Sequence, residues 1–150
     1  MGNLLFALDS PRYAIPLSIV ERVVRAVEIR PLPLAPRVVV GVINAGGRII
    51  PVADIRAILG LPAREMDIGD QLIIARTPTR VIAVIVDDVI GIRESPEGAA
   101  RSAEAVLPFA QLLRGAVQIE DDIVLIYDLD RLLSLDEERQ LDGALSEGGS

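Results

Sequence analysis

The chain has 150 residues and a formal net charge of −7; half of its residues are apolar, and cysteine, histidine, lysine and tryptophan are absent. These absences exclude disulfides, thiolate nucleophiles and Cys- or His-based metal sites, and they remove the commonest general base. The acidic balance and the scarcity of aromatic residues argue against a nucleic-acid partner, and the lack of a long apolar run or signal peptide predicts a cytoplasmic protein that does not insert into a membrane.

Short apolar segments separated by turns predict a chain built mainly of β-strands. Residues 4–8 and 13–15 predict a hairpin around a Ser-Pro turn. Residues 16–24 fit either a strand edge or a short helix, because their periodicity does not decide between the two. Residues 27–29 are strand-like, and the proline-rich segment 31–36 predicts an extended connector outside the hydrogen-bonded sheet.

Residues 41–61 contain the most informative pattern, an aliphatic run, a Gly-Gly turn and a second aliphatic run. This pattern predicts a β-hairpin that turns through Asn44, Ala45, Gly46 and Gly47. Asp54 occupies the position of a helix N-cap and Gly60 that of a C-terminal glycine, so a helical turn is expected between them.

The same pattern returns without a gap in residues 115–135. Identical pairs include Gly41 with Gly115 and Asp54 with Asp128, and most of the other matching positions exchange one aliphatic residue for another. A second similarity links residues 19–23 with 85–89. We therefore interpret the chain as two copies of one β-rich unit.

The remaining segments complete the fold prediction. Strands are expected at 72–75, 80–86 and 90–93, loops at 62–69 and 95–101, a short helix at 102–114 and a terminal helix at 135–141. The helical pieces are too short for βαβ crossovers. The architecture inferred is mainly β, with two interlocked five-stranded barrels around a shared aliphatic core.

No pattern of residues predicts an active site, a metal or a cofactor. Asp87 and Asp88 are neighbours in a strand and would point to opposite faces, Asp128 fits a cap, and the EF-hand, Rossmann and P-loop spacings are missing. A module of this kind is expected to bind other proteins. The alternative of a different class, a small-molecule-binding or hydrolytic barrel that uses Asp87 or Asp128, has no nucleophile–base pair to support it.

Eight short motifs occur in an order and spacing that are specific when taken together: Leu5-Phe6-Ala7-Leu8, Tyr13-Ala14-Ile15-Pro16, Val20-Glu21-Arg22-Val23, Pro31-Leu32-Pro33 with Ala35-Pro36, Gly41-Val42-Ile43-Asn44, Gly47 through Pro51-Val52 to Asp54-Ile55-Arg56, Val86-Asp87-Asp88-Val89, and Asp128-Leu129 with Leu132-Leu133. Through them, residues 4–135 resemble the CheW family of chemotaxis coupling proteins, which includes the regulatory domain of CheA kinases.

The resemblance implies a single CheW-like domain over residues 1–141, made of two SH3-like barrels with short helices and followed by a flexible tail at 142–150. It also implies a non-catalytic adaptor that joins a CheA-type histidine kinase regulatory domain to the cytoplasmic tips of methyl-accepting chemoreceptors. Exposed sheet edges and apolar barrel ends add an expectation of weak self-association.

The sequence departs from the family pattern at two positions linked in the family to partner contact. Gly46 stands where the family usually has arginine, and Arg22 stands where it often has glutamate, with Glu21 one place earlier. An alternative is therefore a decoy module that binds the kinase without receptors. The expected partner-binding residues are Val20, Glu21, Arg22, Asn44, Gly46, Arg48 and Arg56.

Overall fold

The computed structural model describes residues 2–8, 12–25, 28–59, 69–94, 116–120, 123–132 and 135–148. Several predicted features lie outside these residues. They are the helix at 102–114, the glycine expected to end the first helical turn (Gly60), and almost all of the loops at 62–69 and 95–101.

The described residues form ten strands, two α-helices and two short 3-10 turns. The strands are β1 (Gly2–Ala7), β2 (Arg12–Pro16), β3 (Val20–Arg25), β4 (Val39–Ala45), β5 (Arg48–Asp54), β6 (Gln71–Arg76), β7 (Val81–Val86), β8 (Asp88–Glu94), β9 (Ala116–Glu120) and β10 (Ile123–Ile126). The helices are α1 (Ile55–Leu59) and α2 (Leu135–Gly148), and the 3-10 turns are Leu17–Ile19 and Leu129–Leu132.

The strands form two five-stranded sheets. The first sheet has the order β8-β1-β2-β10-β9 and the second has the order β3-β6-β7-β5-β4. Each sheet combines strands from both halves of the chain, which confirms the mainly β fold of two interlocked SH3-like barrels.

The pairing scheme supports the interpretation of the chain as a duplicated unit. The pairs β1–β2, β1–β8 and β10–β9 are antiparallel and β10–β2 is parallel. The pairs β6–β7, β3–β6, β4–β5 and β5–β7 repeat this scheme in the second sheet, strand for strand.

The second sequence similarity, between residues 19–23 and 85–89, is out of register with the structural correspondence by three residues. The counterpart of β3 is β8, whereas Ile85 and Val86 end β7. A bulge marks the true correspondence, because the register skips Glu21 in β3 and Ile90 in β8. Short aliphatic runs are alike enough to be aligned in the wrong register.

The inner strands are buried on both faces because each barrel packs against the other. Adjacent side chains on a strand point in opposite directions. Thus Leu5 lies in the core of the first barrel, while its neighbours Leu4 and Phe6 join a core shared between the sheets. Ile73 in the second sheet belongs to the same shared core. The rings of Phe6 and Tyr13 stack there, with their centroids 5.9 Å apart.

The segment between β3 and β4 differs from the strand predicted at 27–29. Residue 27 lies outside the described residues, and residues 28–29 form no strand. Arg30 makes an isolated antiparallel bridge with Val42, in which each backbone N–H donates to the other residue's carbonyl. The prolines that follow have no N–H with which to extend this pairing.

The hairpin of β4 and β5 confirms the predicted turn and cap. Gly46 and Gly47 have φ angles of 62° and 91°, and the Asn44 Oδ1 atom accepts a hydrogen bond of 2.8 Å from the Gly47 N–H. Positive φ at both central residues is the reason for two glycines in a two-residue hairpin loop. At the end of β5, the Asp54 Oδ1 atom accepts a hydrogen bond of 3.0 Å from the Arg56 N–H and so caps α1.

The C-terminal helix was expected to end at residue 141, and this boundary is wrong. Helix α2 continues to Gly148, because Leu141 and Ala144 are buried against an apolar patch that includes Leu32 and Val39. An ion pair of 2.9 Å between Arg80 and Asp142 joins the helix to the start of β7. The sequence did not predict these two contacts, because residues 142–148 contain several polar residues and glycines.

We expect Gly41→Ala to lower the free energy of unfolding by about 1–3 kcal/mol, as overpacked positions do. A Cβ atom at this position would clash with the Arg30 carbonyl oxygen. Urea denaturation is the measurement. Gly143→Ala is the matched control, because nothing lies within 4 Å of its Cβ position in α2. We expect that change to add about 0.5–1 kcal/mol. Equal effects would contradict the close approach at Gly41.

We expect Ala144→Glu to destabilise the protein by about 1–3 kcal/mol, because the added side chain overpacks a buried position and removes a charge from water. Ser146→Glu is the matched control, because Ser146 lies on the exposed face of the same helix. Thermal denaturation followed by circular dichroism measures both. Indistinguishable melting curves would mean that α2 is not docked.

Candidate partner-binding surface

Strand β3 forms one edge of the second sheet, and its side chains divide between core and solvent. Val20 and Val23 pack against the shared core, whereas Glu21 and Arg22 are exposed. Val20 therefore holds the strand in place, and the bulge at Glu21 directs the polar residues outward. Within the described residues β3 pairs only with β6, so its other backbone edge is unpaired there.

Glu21 links this edge to the hairpin. The Arg48 Nη1 atom lies 3.3 Å from both carboxylate oxygens of Glu21, and the Arg76 Nη2 atom lies 3.6 Å from Oε1. The three side chains come from β5, β3 and β6. The sequence placed Glu21 and Arg48 on one surface without predicting that they meet. Arg76 was missed, because its position depends on the pairing of β3 with β6.

The tip of the β4–β5 hairpin carries few side-chain atoms, and a groove lies along the side of the hairpin. Gly46 and Asn44 are exposed at the tip. The groove beside them has a volume of about 210 Å³. Its lining residues are Glu28, Arg30, Val42, Ile43, Asn44 and Ile49. Of these lining residues, Asn44 alone was predicted, although the alternation of β4 and β5 could have placed Ile49 opposite Asn44.

Arg56 is not on this surface. Its side chain is only 7 % exposed, and its Nη2 atom lies 2.5 Å from the Asp87 Oδ2 atom. The pair joins α1 to the bend between β7 and β8. This placement favours a structural role for Arg56 over the expected partner contact.

The Arg56–Asp87 pair also concerns the alternative in which Asp87 serves as a catalytic carboxylate. Asp87 is held in an ion pair by Arg56, which opposes its use as a free base. The described residues contain no group of three or more Asp or Glu side chains placed to hold a metal ion. They also contain no helix that is long and apolar enough to cross a bilayer.

A second exposed feature lies on the opposite sheet. Ile90 and Ile92 on β8 are 48 % and 64 % exposed, and β8 is an edge strand of the first sheet. Exposed apolar residues on an edge strand favour association with another chain. Ile90 and Ile92 are therefore the residues at which we expect self-association to occur.

Comparison with known proteins gives consistent matches over most of the chain. The family model described as "CheW-like domain" matches residues 3–137. The chain is 29 % identical to the Chemotaxis protein CheW of Thermotoga maritima over 130 residues, which covers 87 % of this chain and 85 % of that protein. It is 31 % identical to the Chemotaxis protein CheW of Rhizobium meliloti over 109 residues, covering 71 % and 70 % of the two chains.

A solved structure supports the same assignment. The scaffolding protein TtCheW from Thermoanaerobacter tengcongensis superimposes with a TM-score of 0.73 at 26 % identity. The superposition covers 91 % of this chain and 89 % of that protein.

The two arginine–carboxylate pairs should respond differently to removal of the arginine. We expect Arg56→Met to cost about 3 kcal/mol, because it removes the guanidinium that pairs with Asp87 in a largely buried site. Arg48→Met should cost less than about 1 kcal/mol, because the Arg48 and Glu21 side chains are 44 % and 27 % exposed. Urea denaturation of both variants is the measurement. A loss at Arg48 as large as that at Arg56 would contradict the assignment.

Proposed function

The chain belongs to the CheW-like domain family, and on that premise we propose that it is a non-catalytic adaptor of a bacterial chemosensory system. In this role it joins the regulatory domain of a CheA-type histidine kinase to the cytoplasmic tips of methyl-accepting chemoreceptors. The observation that carries the proposal is the family match over residues 3–137, with a structural likeness to a scaffolding protein over nearly the whole chain.

The edges of the two sheets supply surfaces suited to an adaptor. An exposed sheet edge can pair with an added strand or receive a partner's side chains. Strand β3 and the hairpin form one such surface, which the Glu21–Arg48 contact spans. Strand β8 offers another on the other barrel. Two separate surfaces are the minimum that an adaptor between two proteins requires, and β8 is also where a second copy of the chain would bind weakly.

The two departures from the family pattern compensate for each other in this structure, because the displaced residues are in contact. Gly46 removes an arginine from the hairpin tip, but Arg48 lies two residues further along the hairpin. Glu21 is displaced by one place, but it is the residue that Arg48 contacts. An acid from β3 and an arginine from the hairpin therefore meet despite both shifts. This favours a surface that retains partner binding.

The proposed partners place the protein in the cytoplasm, where receptor tips and the kinase meet. The decoy role, binding the kinase without receptors, is the second candidate. It is favoured by the bare hairpin tip, where Gly46 and Gly47 present no side chain to a partner. An arginine at this tip would offer a planar group for two parallel hydrogen bonds, which glycine cannot replace.

Titration calorimetry against the two partners separates these roles. The chain is titrated with the regulatory domain of a CheA-type kinase from the same organism, and separately with an isolated receptor tip. An adaptor binds both, and it increases the amount of receptor tip that co-elutes with the kinase domain in gel filtration. The kinase domain and receptor tip without the chain are the control. Binding to the kinase alone would favour the decoy role, and binding to neither would overturn the proposed function.

A further inference from the structure

We propose that Arg80 opposes the docking of α2 and so makes this helix a releasable cover over the apolar patch that it contacts. The patch includes Leu32, Val38 and Val39. With α2 docked these three side chains are at most 8 % exposed. Release of the helix therefore uncovers apolar surface on the second barrel. The inference concerns a conformational device within the fold and goes beyond the proposed function.

The guanidinium of Arg80 is buried beside α2 with most of its hydrogen-bonding capacity unused. The side chain is only 10 % exposed, and its Nη1 atom lies 2.9 Å from the Asp142 Oδ1 atom on the helix. The Nε and Nη2 atoms are also buried, and neither donates a hydrogen bond within the described part of the chain. Because the contact with Asp142 places α2 directly against the guanidinium, the docked helix contributes to this burial.

The contact with Asp142 offsets only part of the free energy lost when Arg80 is buried. Buried N–H donors without an acceptor are destabilising, and a buried charge is more so. The Asp142 side chain is 64 % exposed, and an ion pair whose carboxylate is largely in water contributes little to stability. When α2 moves away, water can reach the guanidinium nitrogens. Hydration of Arg80 therefore favours the released helix.

Helix α2 depends on docking for its own stability. It has 14 residues, a length at which an isolated helix is marginal in water. Gly143 lies within it and weakens it further. Among its described side chains, Leu141 and Ala144 are buried and Leu145 is partly buried. A small apolar contact therefore holds the helix against a buried charge that opposes it, and elements with few buried contacts open without unfolding of the whole protein.

Two variants that remove the same ion pair distinguish a releasable cover from a stabilising contact. Asp142→Asn removes the charge that partly offsets the burial of Arg80, so α2 should open more often and its amides from residue 139 onward should exchange about tenfold faster. Arg80→Met removes the buried charge and leaves an apolar side chain beside the helix. The same amides should then exchange at least about threefold more slowly. Native-state hydrogen exchange of the full chain, followed by NMR, measures both.

The chain supplies an internal reference and a matched control for this measurement. The amides of β6 are the reference, because this strand pairs with a neighbour on both sides and reports unfolding of the whole second sheet. In the wild type, the amides of α2 should exchange faster than those of β6. Arg76→Met is the control, because Arg76 is exposed at the other end of the β6–β7 turn and contacts Glu21. It should leave exchange in α2 unchanged.

Three outcomes would overturn the inference. Faster exchange of α2 in both Asp142→Asn and Arg80→Met would mean that the ion pair stabilises the docked helix. Unchanged exchange in both variants would mean that Arg80 has no influence on docking. Exchange of α2 no faster than that of β6 in the wild type would mean that the helix opens only when the protein unfolds. None of these outcomes depends on binding to a partner, so the proposed function is tested separately.

Discussion

The shared core between the two sheets is the contact on which the rest of the structure depends. Because every inner strand is covered on one face by its own barrel and on the other by the opposite barrel, it must be apolar on both faces. This accounts for the continuous apolar runs of β1, β6 and β7. It also confines most charged side chains to edges, turns and helix ends. The same constraint that fixes the fold thus determines where partners can bind.

Two arginine–carboxylate pairs illustrate how position decides the role of one kind of contact. The Arg56–Asp87 pair lies in a largely buried site, where loss of one partner of an ion pair is costly. The Arg48–Glu21 pair is partly exposed, and ion pairs in contact with water contribute little to stability. Sequence reasoning treated Arg48 and Arg56 alike, since nothing local distinguishes an exposed arginine from a buried one.

Local patterns predicted what depends on neighbours in the chain. Alternation located most of the described strands, the two glycines gave the turn between β4 and β5, and Asp54 gave the cap of α1. The duplicated unit was found because residues 41–61 and 115–135 share their spacing. Contacts between distant segments were not predictable in this way. A period of two assigns a face to each residue but no partner strand, so the pairing of β3 with β6, the position of Arg76 and the docking of Ala144 required the structure.

The exchange of strands between the two halves has a consequence for synthesis of the chain. The second sheet is complete once Val86 has been made, although it lacks β1 and β2, which are made first. Those two strands must wait for β8, β9 and β10, which end at Ile126. On a ribosome, the N-terminal hairpin would therefore keep an aliphatic face uncovered for most of translation. Non-local pairing of this kind slows folding and exposes the nascent chain to aggregation.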